Sequence, residues 1–101
     1  MACTRIPFAA LPWISGSHPL EKKKTDAERR VTVLEFAPGF ADPSWCENGH
    51  AGLVLEGTLE LETTDGVVRC SAGDAFVVDR GSRHRARNQA ATPVRLFVHT
   101  F

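Results

Sequence analysis

Charge of one sign is what this sequence most clearly lacks, since twelve Lys plus Arg are balanced by twelve Asp plus Glu. With no net field, nothing draws the chain as a whole onto nucleic acid or an anionic membrane, and neither is expected as a partner. Long apolar runs are missing too. No segment approaches the roughly 20 residues that cross a bilayer. The opening MACTRIPFAALPW has one basic residue and is broken by Pro7 and Pro12, unlike a secretory leader. Cysteine is sparse and odd in number, and Cys3, Cys46 and Cys70 show no paired spacing. Free thiols in a reducing cytoplasm are therefore expected, not a disulfide framework. Neither an internal repeat nor an apolar stripe of helical period longer than two turns is present, which leaves strands as the main element.

What remains is ordinary for a globular protein: 43% hydrophobic and 24% charged residues in 101, room for one domain. Residues 1–28 read as an irregular arm. Pro7, Pro12, Gly16 and Pro19 punctuate it, EKKKTDAERR reads as a solvated loop or turn, and Phe8 and Trp13 are expected to pack it on the body or on a partner. From residue 29 to 101 the period is that of strands. RVTVLEF alternates and stops at APG; LVLEG follows; TLELETT sets Leu59 and Leu61 against Glu60 and Glu62. Asp65-Gly66 is a strong hairpin signal, AFVV is short and fully apolar, and PVRLFVHTF closes the chain. Short strands broken by Gly, Asp and Pro predict an all-β fold, an antiparallel barrel or sandwich. A chain this small gains from closing the sheet and from dimerising, because both remove exposed edges.

Two stretches carry candidate chemistry. In GDAFVVDRGSRHRARN, residues 73–88, period two puts His84, Ala86 and Asn88 on one face and Arg83, Arg85 and Arg87 on the other. The first face should point inward and the arginines outward, onto acids from TLELETT. In WCENGHAGLVLEG, Cys46 and His50 flank what reads as a tight turn. If the loop is Glu47-Asn48-Gly49, Cys46 and His50 oppose each other with Cβ atoms roughly 5 Å apart. If it is Asn48-Gly49 alone, Glu47 opposes His50 and Cys46 turns outward.

The 73–88 stretch resembles the second motif of the cupin superfamily: a glycine, a short strand, a turn ending in glycine, then a histidine and an asparagine. Gly73, Gly81, His84 and Asn88 fall in register, with Asp79 where proline is usual. GLVLEG resembles the strand end of the first cupin motif, and Pro38-Gly39 its opening. Counting back from Gly57, the resemblance places His50 at the family's Glu or Gln ligand, Cys46 at its second histidine and Ser44 at its first. It covers residues 38–88 and implies a single antiparallel cupin β-barrel of jelly-roll type. It also favours the register that turns Cys46 inward.

Cys46, His50 and His84 are thus the expected metal ligands, with Ser44 a weaker ligand or a pocket residue. A Cys/His₂ set suits tetrahedral Zn²⁺ with a fourth position open, while iron, nickel, cobalt and manganese are the alternatives. Were Glu47 inward instead, the set would become His₂Glu, suited to iron or zinc. Singly, such residues have plainer roles: a Cys in a β-protein is usually a small buried hydrophobe. Cys3, Cys70, His18 and His99 read that way.

By resemblance, the expected function is a small stand-alone cupin, a homodimer, whose divalent metal binds a small oxygen-rich ligand of the sugar-acid or keto-acid kind. As an isomerase, lyase or dioxygenase it would use the metal as Lewis acid and Glu47 to move a proton. The alternatives are a non-catalytic binding or sensing module and a metal-free structural dimer.

Overall fold

The computed structural model describes residues 2–101, and within them every strand pairing is antiparallel. The strands in chain order are β1 (Ile14–Ser15), β2 (Glu21–Asp26), β3 (Val31–Phe36), β4 (His50–Glu56) and β5 (Thr58–Thr63). They continue with β6 (Gly66–Ser71), β7 (Ala75–Val78), β8 (His84–Arg87) and β9 (Val94–Thr100). One 3₁₀ turn, Phe8–Ala10, is the only helical element among the described residues. The all-β expectation holds.

Two sheets form, one in the order β1-β2-β3-β9-β4-β7 and one in the order β6-β5-β8. They face each other as a jelly-roll, as the resemblance implies, with no continuous hydrogen-bonded ladder joining the two sheets. The core lies between them. Phe36, Val54, Leu96 and Val98 from the larger sheet meet Leu59, Leu61 and Cys70 from the smaller. Phe40 seals one end, its ring stacked on Phe36 with centroids 4.1 Å apart.

Gly57 makes the tightest of the changes between sheets. It is the single residue between β4 and β5, with φ at +79°, and a Cβ there would run into the Pro93 carbonyl oxygen. Only glycine combines that backbone conformation with that approach. The hairpin foreseen at Asp65-Gly66 does form, but one residue earlier. Thr63 pairs with Gly66, leaving Thr64 and Asp65 as the loop. The Thr63 hydroxyl accepts from the Asp65 amide at 3.1 Å and donates to the Gly66 carbonyl at 2.9 Å, which fixes that register.

The arm is less irregular than its composition suggests. Residues 21–26, the charged run, are strand β2, paired residue for residue with β3. Its lysines tie this strand to the arm. The Lys22 and Lys24 ammonium groups lie over the Trp13 ring at 4.7 and 4.8 Å, and Lys24 also donates to the Phe8 carbonyl at 2.8 Å. Both cations are attracted to the indole face. Period two then turns Glu21 to the opposite face, which bears on the site below.

Two of the three outward arginines, Arg85 and Arg87, meet the acids expected of them, while Arg83 lies over the Trp45 ring. Glu60, 6% exposed, accepts from Arg87 at 2.7 Å and from Arg69 at 2.9 Å, while Arg85 holds Glu62 through two bonds of 3.1 Å. The hydrogen bond from Arg87, then that from Arg69, keeps the Glu60 carboxyl below its ordinary 4.5. A carboxyl held low in the folded state contributes stability that is present above its unfolded value and lost as pH falls through the folded one. Glu60→Gln should therefore lower the urea midpoint at neutral pH and make no difference in strong acid. Equal midpoints for the two proteins at neutral pH would show that this cluster adds nothing.

Candidate metal centre

Cys46 and His50 do come together, but not across a hairpin. The Cys46 and His84 backbones exchange hydrogen bonds of 2.8 and 2.9 Å, so Cys46 sits beside β8 on the smaller sheet. His50 begins β4 on the larger sheet, opposite Thr100 and Val78. Residues 47–49 cross between the sheets, held by Gly81 N–H on the Glu47 carbonyl and by the Gly49–Phe101 pair. Neither Asn48 nor Gly49 has positive φ, as a type I′ turn would require. Both hairpin registers are thereby corrected, and the side chains converge because the two sheets face each other.

Cys46, His50 and His84 present ligand atoms that all lie within 4.8 Å of one another. Cys46 Sγ is 3.7 Å from His50 Nε2, and the two imidazole rings stand edge to face with centroids 5.0 Å apart. Around tetrahedral Zn²⁺, sulfur and nitrogen ligands sit about 3.3–3.6 Å apart; Cys46 and His50 are nearly at that spacing, and the three together would draw in by up to about 1 Å.

The orientation of the rings is as informative as their proximity. His84, 4% exposed, has Nδ1 at 3.1 Å from the Ser82 carbonyl, which can only accept. Nδ1 therefore carries the proton and Nε2 the lone pair. His50 Nδ1 is likewise engaged, 3.1 Å from the Thr100 hydroxyl. Anchoring one ring nitrogen and leaving the other free is how a protein aims a metal-binding histidine. Burial, reinforced by His84, holds the His50 imidazole below its ordinary 6.5, so it is neutral and ready to coordinate at neutral pH. The donors present fit a borderline-soft divalent ion.

The three residues open onto a cavity of about 360 Å³ between the sheets, where Ser17, Glu21, Asp42, Ser44 and Trp45 also contribute to the lining. Ser44 is among the lining residues. Glu47, assigned the proton-moving role, is exposed and outside the lining, with its carbonyl tied to Gly81. The carboxyls that do line the cavity are Asp42 and Glu21. Burial lifts the Asp42 carboxyl above its ordinary 3.8; the Ala86 backbone opposes the rise, Glu21 adds to it, and His84 and His18 oppose it.

Residues 39–46 run beside β8, with Asp42 N–H donating to Ala86 O at 2.9 Å and Cys46 N–H to His84 O at 2.8 Å, and they bend at Pro43 and Ser44 between those bonds. Asp42, Ser44, Trp45 and Cys46 from this stretch all line the cavity. Glu21 could be placed only by knowing that the charged run is a strand. Asn88, fully buried, binds backbone groups and is structural. All three cysteines are free, and Cys70 lies in the core, its thiol pushed up by burial. His18 packs edge-on against Phe40 and His99 is exposed. Among the described residues no helix is long and apolar enough to cross a membrane.

Residues 32–100 match the family model for the cupin domain, and the chain belongs to that family. No curated protein matches the sequence. Among solved structures, the chain is similar to a sugar phosphate isomerase of the cupin superfamily from Silicibacter pomeroyi. They share 16% identity at a TM-score of 0.75, over 94% of this chain and 73% of that one. The polyketide cyclase RemF from Streptomyces resistomycificus shares 20% identity at a TM-score of 0.77, over 98% and 79%. KdgF from a Halomonas species shares 23% identity at 0.70, over 88% and 86%. At these identities the likeness establishes the fold, and function has to be argued from the site.

Proposed function

We propose that this cupin is a metal-dependent small-molecule protein in which Cys46, His50 and His84 hold one divalent ion, zinc by preference. The observation that carries the reading is the pair of histidines whose Nδ1 atoms are engaged and whose rings meet beside a cysteine sulfur. Three protein ligands leave the fourth position of a tetrahedral ion for a ligand oxygen, and the metal supplies Lewis acidity there. Should that ligand be turned over, Asp42 is the cavity carboxyl suited to hold and return a proton, because burial favours its neutral form near the bound molecule. A carbonyl ligand would then be open to isomerisation or elimination chemistry. The non-catalytic binding reading keeps the same site without that proton step.

Cobalt substitution tests the centre directly. Cobalt-loaded protein should show a sulfur-to-cobalt charge-transfer band that Cys46→Ser abolishes. A bound cobalt spectrum without that band would remove Cys46 from the ligand set.

Homodimerisation belongs to the proposal as well. Val67 and Val68 on edge strand β6, and Val77 on edge strand β7, are 47, 50 and 69% exposed. Edge strands carrying apolar side chains invite a second copy. Sedimentation equilibrium should give a dimer that Val77→Lys shifts toward monomer; a monomeric wild type at every concentration would refute it.

A further inference from the structure

The cavity walls narrow the class of ligand beyond what the metal alone specifies. Ten of the lining residues are apolar, among them Leu34, Phe36, Leu59, Phe76 and Leu96. Outside the ligand triad the polar lining consists of Ser17, Glu21, Asp42 and Ser44. Among the described residues, no lysine or arginine lines the cavity. The nearby guanidinium groups, outside the lining, are already engaged: Arg85 binds Glu62, Arg87 binds Glu60, and Arg83 and Arg85 lie over the Trp45 ring at 5.2 and 4.4 Å.

This distribution penalises anions. A carboxylate or phosphate entering the cavity loses its hydration and finds no side-chain cation to replace it. The metal is a weak substitute, because a Cys46 thiolate offsets half of a divalent charge. Glu21, on the same lining, adds negative potential, and Asp42, whose neutral form burial favours, offers an anion no countercharge. The cavity's size fits an apolar body: at 360 Å³ it is roughly twice the ~150 Å³ void that accepts one benzene ring.

Resting on the metal-site reading above, we propose that the ligand is a neutral hydroxy- or keto-aromatic molecule of one or two rings. It would give an oxygen to the metal and lay its rings against the apolar walls. Sugar acids, keto acids and phosphates are selected against.

Calorimetric titration of zinc-loaded protein with hydroxyacetonaphthone, galacturonate and pyruvate tests this. The naphthone should bind once per chain and about tenfold or more tighter than either anion. Ala86→Leu, which fills the cavity, should weaken it by about tenfold with zinc content unchanged. Ser44→Arg, a change at an exposed position that needs no core repacking, should bring galacturonate to parity by supplying the missing cation. Tighter binding of either anion by the wild type would overturn the proposal. Naphthone binding that Ala86→Leu leaves unchanged would overturn it too, by placing the ligand outside the cavity. If the chain takes up no zinc yet binds the naphthone in a manner weakened by Ala86→Leu, the ligand class stands and the metal reading falls.

Discussion

His84→Ala is expected to take the protein from about one zinc per chain to none under conditions that saturate the wild type. His84 is almost fully buried, and its proton is committed to the Ser82 carbonyl, so Nε2 has no other function that the structure provides. Removing it leaves one sulfur and one nitrogen from the protein, too few to outcompete water and buffer. A graded control separates ligation from general damage. Thr100→Val removes only the hydroxyl on His50 Nδ1 and should cost about 10–100-fold in affinity, the usual effect of losing an outer-shell partner. Competition against a chromophoric chelator measures both, and circular dichroism checks that each variant keeps its strands. A folded His84→Ala protein that retained full zinc would sink the assignment.

The second large effect is on stability and should spare the metal. Asn88 is fully buried and makes three hydrogen bonds to backbone. Its amide donates to the carbonyls of Phe36 and Thr92, both at 3.0 Å, and its oxygen accepts from the Ala90 amide at 3.0 Å. It thereby ties the end of β3 to the loop between β8 and β9. Asn88→Ala deprives three backbone groups of this partner, the Phe36 carbonyl in a buried position and the Thr92 carbonyl and Ala90 amide in part-buried ones. At about 1 kcal/mol or more for each, the loss should total about 3 kcal/mol, a large share of the roughly 5–15 kcal/mol that holds a domain folded. Urea denaturation should show the midpoint falling sharply, while zinc affinity, measured well below that midpoint, stays within about threefold of wild type. A loss under about 1 kcal/mol would mean the loop satisfies its own backbone.

The two predictions also divide what was legible in the sequence from what was not. His84 and Asn88 follow period two on a short strand, so their inward direction could be read without any fold. The same local rule reads the outward arginines, the inward leucines of β5 and the hairpin near Gly66, although the Thr63 hydroxyl moved that hairpin by one residue.

The charged run was misread for a different reason. Solvation was inferred from composition, yet Lys22 and Lys24 are in a strand, and their ammonium groups lie over Trp13, nine and eleven residues earlier. That contact is invisible to any local window.

By itself, then, the sequence determined the strand periods, the turns that break them, the family resemblance and the identity of three candidate ligands that the fold brings together. The tertiary structure alone decided how those side chains meet. Cys46 pairs with β8, His50 pairs with β9 and β7, and three residues cross the gap between the sheets. A tight turn and a sheet crossing can be written with the same residues, since Asn-Gly permits a hairpin without compelling one. The choice was made by backbone partners at Gly81, His84 and Phe101, far along the chain, whose hydrogen bonds together outweigh the preference of a two-residue turn.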